Sequence, residues 1–139
     1  MKKRVIIVLS ALLVIAVAGF VAFPYIVAKD FTETLNYNPD EVTKITFMSG
    51  NSGKRAEVTQ KADIDEFLAL FKDVKLKKLD SKSYTGFTLS VALYADEQEI
   101  SSFSCGYGDI ITGKGARYIM NKSLNREDVD NIFEKYSLE

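Results

Sequence analysis

Phe87-Thr88-Leu89-Ser90-Val91-Ala92-Leu93-Tyr94 alternates strictly between apolar and small or polar side chains. Successive side chains of a β-strand point to opposite faces, so this alternation predicts a strand with one buried face. The other face would carry Thr88, Ser90 and Tyr94. An exposed aromatic side chain on an open sheet face is typical of a partner contact, and the alternative is a half-buried tyrosine with a solvated hydroxyl.

The chain that follows this strand predicts a meander of further strands. Residues 95–98 form a turn, and residues 99–105 return beside the first strand. Within the return, Ile100 and Phe103 are three residues apart, which is out of phase for one face of a strand. A β-bulge near Ser101-Ser102 would bring both side chains into the core. Two short strands complete the meander, at residues 110–112 and 116–121.

Three strands are predicted before the central one. Alternation over residues 42–47 and 54–59, on either side of a Gly-rich tetrapeptide, predicts a β-hairpin. Residues 74–79 alternate again and place Lys75 and Lys77 on one face. The functional interpretation of these lysines is a basic patch for an anionic polymer or lipid. The structural interpretation is an exposed strand face, or a sheet edge that lysines protect from pairing with other chains.

Two amphipathic helices are predicted, one over residues 62–73 and one that begins at Asn125. Asp63 and Glu66 fit a capping box at the start of the first helix, and Asn125 is a suitable N-cap for the second. Each helix has four apolar side chains at positions i, i+3, i+4 and i+7, which share one helix face. These are Ile64, Phe67, Leu68 and Phe71 in the first helix and Val129, Ile132, Phe133 and Tyr136 in the second.

The predicted order of elements is therefore β-β-α-β-β-β-β-β-α. A mainly antiparallel sheet needs one face covered, and two helices with apolar stripes are suited to cover it. The sequence predicts an α+β domain over residues 42–139, in which two helices pack on one face of the sheet. Residues 29–41 lack a period and predict a linker, in which Phe31, Leu35 and Tyr37 pack on the membrane surface or on the domain. The spacing of Phe31 and Leu35 fits equally a continuing turn of the anchor helix.

The N-terminal residues 1–28 predict a membrane anchor. Residues 5–28 contain no charge and are long enough to cross a bilayer as a helix, which requires about 20 apolar residues. Because Lys2, Lys3 and Arg4 precede this span and basic flanks stay on the cytoplasmic side, the C-terminal domain would lie outside the cytoplasm.

A cleaved signal peptide is the alternative for the same segment, and it would make the protein secreted. Ala16-Val17-Ala18 has the small-x-small pattern of a cleavage site. However, the apolar run continues from Gly19 to Ala28, where a signal peptide normally becomes polar. A lipoprotein is excluded because Cys105 is the single cysteine and lies far from the N-terminus.

Composition excludes several classes of function. The chain has no histidine, the commonest catalytic base and zinc ligand. Without the three basic residues at the N-terminus, 15 basic residues face 19 acidic ones, and a net charge of −4 does not favour nucleic-acid binding. The two Gly-x-Gly pairs lie between strands and do not open a helix, as a phosphate-binding loop would. We predict no catalytic residue, no cofactor and no metal, and a buried Cys105.

Four segments resemble small envelope domains of Gram-positive bacteria. They are residues 42–47, 63–68, 86–89 and 115–121, within a resemblance that covers about residues 42–136. The resemblance implies a leader or anchor followed by one α+β domain. It implies no activity and no functional residues, since such families carry no established activity.

We expect a non-enzymatic binding or accessory module, held outside the cytoplasm by a single transmembrane helix. Its partners would be membrane lipid along residues 5–28 and an envelope or membrane protein. The contact would involve Thr88, Ser90 and Tyr94, or Lys75 and Lys77. One alternative is an envelope hydrolase with two carboxylates in a cleft. The other is an immunity or stress protein that acts on a membrane protein, partly through its anchor.

Overall fold

A computed structural model of the chain describes residues 2–80, 86–106 and 108–137. The first helix is α1, Lys2–Ile26, and it is followed by β1, Lys29–Asp30, and by α2, Phe31–Leu35. A short 3-10 helix at Pro39–Glu41 leads into the main part of the domain. The remaining elements are β2 Lys44–Ser49, β3 Arg55–Val58, α3 Lys61–Ala69, β4 Lys75–Lys78, β5 Leu89–Ala95, β6 Gln98–Cys105, β7 Asp109–Thr112, β8 Arg117–Met120 and α4 Arg126–Tyr136.

Eight strands form one sheet in the order β1-β4-β8-β7-β6-β5-β2-β3, and every adjacent pair is antiparallel. The seven predicted strands correspond to β2–β8, and the predicted α+β class is confirmed. Strand order departs from chain order at three pairings, which are β1–β4, β4–β8 and β5–β2.

The core lies between one face of the sheet and the helices. Leu89, Val91 and Leu93 on β5 are all buried, as their alternation predicts. Phe47 on β2 packs against Phe67 of α3 and Phe133 of α4, with ring centres 5.3 and 5.2 Å apart. Both predicted helices therefore cover the same face of the sheet. Burial of this many large side chains is the main stabilising contribution in a domain of this size.

The segment 29–41 is not the linker that its sequence predicts. Phe31 is 2% exposed and stacks on Phe71 at 4.5 Å, while its edge meets Phe103 at 5.2 Å. Leu35 is also buried. The segment folds because these two side chains, four residues apart on α2, enter the core beside α3 and the sheet. Of the alternatives considered for them, the structure shows packing on the domain, in a short helix separate from α1.

Three local predictions need correction. The capping box at Asp63 and Glu66 does not form, since α3 begins at Lys61 and its N-cap, Gln60, makes no side-chain cap bond. The helix ends at Ala69 and is followed by turns, so it stops four residues before the predicted end at residue 73. The expected β-bulge is present but lies at Ile100, which has no partner between the pairs Leu93–Ser101 and Tyr94–Glu99.

Other local predictions are confirmed. Asn125 caps α4 by accepting a hydrogen bond from the backbone N–H of Glu127 at 3.1 Å. The β2–β3 hairpin forms around residues 50–53. Gly50 is required there, because a Cβ at this position would overlap the backbone oxygen of Phe87.

Helix α1 is long and apolar enough to cross a bilayer. Its 25 residues correspond to about 37 Å at the standard helical rise, against a hydrocarbon core of about 30 Å. None of its most apolar 18-residue window is buried in the structure. Only Val27 and Ala28 separate the end of α1 from β1.

Candidate binding surface

The face of the sheet opposite the helices is the candidate functional surface, and we call it the open face. Residues that are directly paired across strands share a face, so the pairing register defines its members. The chain of pairs Arg55–Met48, Met48–Ser90, Ser90–Ser104 and Ser104–Ile111 crosses five strands. Among the described residues, the helices of the domain all pack on the other face through the aromatic contacts given above.

A groove of about 430 Å³ lies on the open face over β2, β3 and β5. Its floor is formed by the short side chains of Ser90 and Ala92. The Ser90 hydroxyl lies 3.2 Å from the hydroxyl of Ser104 on the neighbouring strand β6. Its open-face walls carry a longer and more polar set of side chains, namely Thr46, Met48, Arg55 and Glu57. The groove can therefore accept a small group above Ser90 and Ala92, with one positive and one negative charge at the β3 side.

Tyr94 lies at one end of the open face and is held by its neighbours. The ammonium of Lys44, its cross-strand partner, lies 4.7 Å from the ring centre, in the range of a cation–π contact. The same ammonium lies 3.8 Å from a carboxylate oxygen of Glu97. Tyr94 lies on the open face, and its side chain is partly buried. The structure thus combines the two alternatives that the sequence left open for this residue.

Asp109 and Arg117 occupy the part of the open face on β7 and β8. A carboxylate oxygen of Asp109 accepts two hydrogen bonds from the guanidinium, at 2.7 and 3.1 Å. Both side chains are largely shielded, with exposures of 20% for Arg117 and 26% for Asp109. This geometry fixes both side chains and makes this region rigid and polar.

The residues predicted for binding fall into two separate groups. Ser90 and Tyr94 lie on the open face of β5, and Thr88 lies immediately before that strand. Lys75 and Lys77 lie on β4, and three strands stand between β4 and β5. With neighbouring strands about 4.8 Å apart, the two groups are about 19 Å from each other. One small ligand cannot contact both.

The two lysines also differ from each other. Lys75 donates a hydrogen bond of 2.8 Å to the carboxylate of Asp30 on β1, which raises the pKa of its ammonium. Lys77 is exposed and has no ion pair within 4.0 Å among the residues that the structure describes. The sequence predicted a sheet edge at β4, but the edge on this side is β1, which pairs with β4 only at Lys75 and Leu76.

Carboxylates do line two clefts on the helix side of the domain. Asp30 and Asp65 line one cleft of about 400 Å³, and Glu66 and Asp128 line another of about 180 Å³. Three of these four acids face lysine ammonium groups within 2.8 Å. These three carboxylates are therefore engaged with lysines and are not free in the clefts.

Sulfur and metal chemistry find little support in the described residues. Cys105 is fully buried, as predicted, and burial, with Asp109 nearby, raises the pKa of its thiol to about 12. A nucleophilic cysteine requires the opposite shift. In residues 2–80, 86–106 and 108–137, no group of three His, Cys, Asp or Glu side chains is placed to hold a metal ion.

The sequence interpretation missed the contribution of the first hairpin to the open face. Thr46, Met48, Arg55 and Glu57 form most of the groove wall, yet none was singled out. The signal was present, since Thr46 and Met48 occupy the opposite phase from the buried Ile45 and Phe47. What the alternation does not contain is the pairing of β2 with β5, which joins these side chains to Ser90.

Comparison of the chain with family models, with curated proteins and with solved structures gives no match.

Proposed function

We propose that the protein is a non-enzymatic binding module that α1 tethers to a membrane, with the domain on the side away from the cytoplasm. The observation that carries this proposal is the open face, with its groove over Ser90 and Ala92. A sheet face that no described helix covers, on a domain whose opposite face is well packed, is suited to receive a partner. We propose an envelope or membrane protein as that partner, in line with the resemblance to small envelope domains.

The properties of α1 support a retained anchor. Large apolar side chains along the helix are more than half exposed, for example Leu13 and Val14 at 66% each. A contiguous apolar surface of this size is rare on soluble domains, and a lipid bilayer accommodates it. The basic residues Lys2, Lys3 and Arg4 support an N-terminus in the cytoplasm.

Direct attachment of the domain to α1 supports a partner close to the membrane. The three Cα-to-Cα steps from Ile26 to Lys29 span at most about 11 Å, so the domain has a short reach above the bilayer. A tethered domain meets membrane partners at an effective concentration far above that of a free domain. The tether thus compensates for a modest intrinsic affinity.

Two features support binding without catalysis. The chain contains no histidine, and three of the four acids that line the helix-side clefts are paired with lysines. The hydrolase alternative would need two carboxylates in one cleft that are free to reach a substrate.

Site-specific photo-crosslinking tests the proposed surface. The full-length chain is expressed in its host with a photoreactive phenylalanine analogue at Ala92, on the groove floor. A second protein carries the analogue at Glu134, which is exposed on α4, on the other side of the domain. We expect a discrete membrane-protein adduct from position 92 only.

A blocking variant tests specificity. Ser90→Arg fills the groove and should abolish the adduct from position 92, whereas Glu134→Arg, a surface change elsewhere, should leave it intact. The proposal is overturned if position 92 gives no adduct, or if positions 92 and 134 give the same adducts.

A further inference from the structure

We infer that one end of the sheet binds the anionic headgroups of the bilayer that α1 crosses, through Lys77, Lys78 and Lys114. We call these three residues the lysine trio. This inference rests on the anchor of the proposed function, but it does not depend on the partner of the open face.

Strand direction places the lysine trio near the membrane. The chain emerges from α1 into β1, so β1 leads away from the end of the helix. Because β4 is antiparallel to β1, it runs back toward α1 and ends with Lys77 and Lys78. Since β8 is antiparallel to β4, it begins at this same end, and the turn that precedes it carries Lys114.

Contacts between the anchor and the sheet confirm this direction. Helix α1 touches β4, and the ammonium of Lys78 lies 5.3 Å from the ring centre of Tyr25, in the last turn of α1. The backbone N–H of Leu79 donates to the carbonyl of Arg117 at 2.9 Å, which joins the end of β4 to the start of β8. A tyrosine near the end of a membrane span lies at the headgroup level. Lys78 is therefore at that level too.

The charges at this end suit an anionic lipid surface. Lys77 and Lys114 are exposed, and among the described residues none of the lysine trio has a carboxylate within 4.0 Å. The domain as a whole is acidic, so its composition alone does not predict lysines without a described carboxylate partner beside the anchor. Each lysine near an anionic bilayer contributes a favourable energy that decays within about one Debye length, roughly 10 Å.

The same end of the sheet becomes acidic farther from the anchor, which sets a direction of tilt. The β5–β6 turn carries Asp96 and Glu97, and Glu99 follows. Glu99 and Lys114 line the same cleft of about 380 Å³, so the acidic turn and the lysine trio meet at this cleft. An anionic surface attracts the lysine trio and repels this turn, so the β4–β8 side is expected to lie lower.

Fluorescence quenching in nanodiscs tests this orientation on the full-length chain. A dye is attached to Asp80→Cys, two residues after β4, or to Glu97→Cys, whose side chain is 97% exposed in the acidic turn. Both variants replace an acid at the same end of the sheet, and the buried Cys105 does not compete for the dye. Quenchers are attached to lipid headgroups, in discs of phosphatidylcholine with or without phosphatidylglycerol.

We expect quenching at position 80 in discs with phosphatidylglycerol, and much less at position 97. In the Asp80→Cys background, we compare the population in which the lysine trio contacts the bilayer with the population in which it does not. Lys77→Gln should lower the ratio of these two populations about fivefold. Lys54→Gln removes the same charge in the β2–β3 turn at the far edge of the sheet and should change nothing.

Three results overturn the inference: no quenching at position 80, equal quenching at positions 80 and 97, or quenching that ignores phosphatidylglycerol and Lys77. A dye response to soluble polyphosphate, with none to phosphatidylglycerol, would assign the lysines to an anionic polymer and also overturn it. Failure of the chain to enter nanodiscs would instead remove the anchor, and with it the proposed function.

Discussion

The hydroxyl of Tyr136 donates a 2.7 Å hydrogen bond to the carboxylate of Asp63, 73 residues earlier in the chain, and so joins α4 to α3. Lys135 adds ion pairs to Asp63 at 3.4 Å and to Glu66 at 2.6 Å. The Tyr136 hydrogen bond, followed by Lys135, holds the pKa of Asp63 below its ordinary value. These four residues fix α3 and α4 side by side over Phe47.

Removing the Tyr136 hydroxyl should weaken the contact between these helices. Tyr136→Phe keeps the ring against Phe47 but leaves the Asp63 carboxylate without its donor. We expect a lower free energy of unfolding in urea, measured by circular dichroism on the full chain in detergent. Tyr94→Phe is the matched control, because the Tyr94 hydroxyl has no hydrogen bond to a described residue. Equal effects of the two changes would contradict this account.

The contribution of Asp63 should depend on pH with a defined sign. Because its pKa is lowered in the folded state, the stabilisation is present above the unfolded pKa of about 3.9 and is lost as pH falls through the folded pKa. The difference in unfolding free energy between wild type and Asp63→Asn should be greatest above about pH 5 and should shrink below pH 4. A difference that stays constant from pH 7 to pH 3 would contradict the prediction.

Phe31 should be a core residue although it lies in a segment with the composition of a linker. Phe31→Ala removes a side chain that contacts Phe71 and Phe103, and we expect a loss of about 3–5 kcal/mol in unfolding free energy. Glu33→Ala, on the exposed side of the same short helix, should change stability by less than about 0.5 kcal/mol. A loss below about 1 kcal/mol for Phe31→Ala would mean that the segment is not folded on the domain.

The thiol of Cys105 should be inert in the folded protein. It is fully buried and its pKa is raised to about 12, so almost no thiolate exists near pH 8. We expect no reaction with an aromatic disulfide reagent in native buffer, and a rate that increases with urea as the domain unfolds. Stoichiometric labelling within minutes in native buffer would show that the thiol is accessible.

Alternation was a reliable guide wherever an element has one wet face and one buried face. Leu89, Val91 and Leu93 on β5 fixed the phase of that strand, and Val129 and Phe133 did the same for α4. The bulge was predicted one residue late because the phase break between Ile100 and Phe103 indicates that a residue is extra, without showing which one is unpaired.

Features that depend on contacts between distant residues were not predictable in the same way. Helix α2 has five residues, too few to show a helical period, and it folds because Phe71 and Phe103 receive Phe31. Asp63 resembles a capping residue by spacing, yet its partner is Tyr136. The residues predicted for binding separate into two groups because β4 pairs with β8, and strand composition does not specify that choice of partner.

The mass of the intact protein, extracted from washed membranes of its host, tests the central claim most directly. The account predicts a chain that begins at Met1 and remains with the membranes after an alkaline carbonate wash. A soluble chain that begins at Gly19 or Lys29 would contradict it, because the domain would then have no anchor.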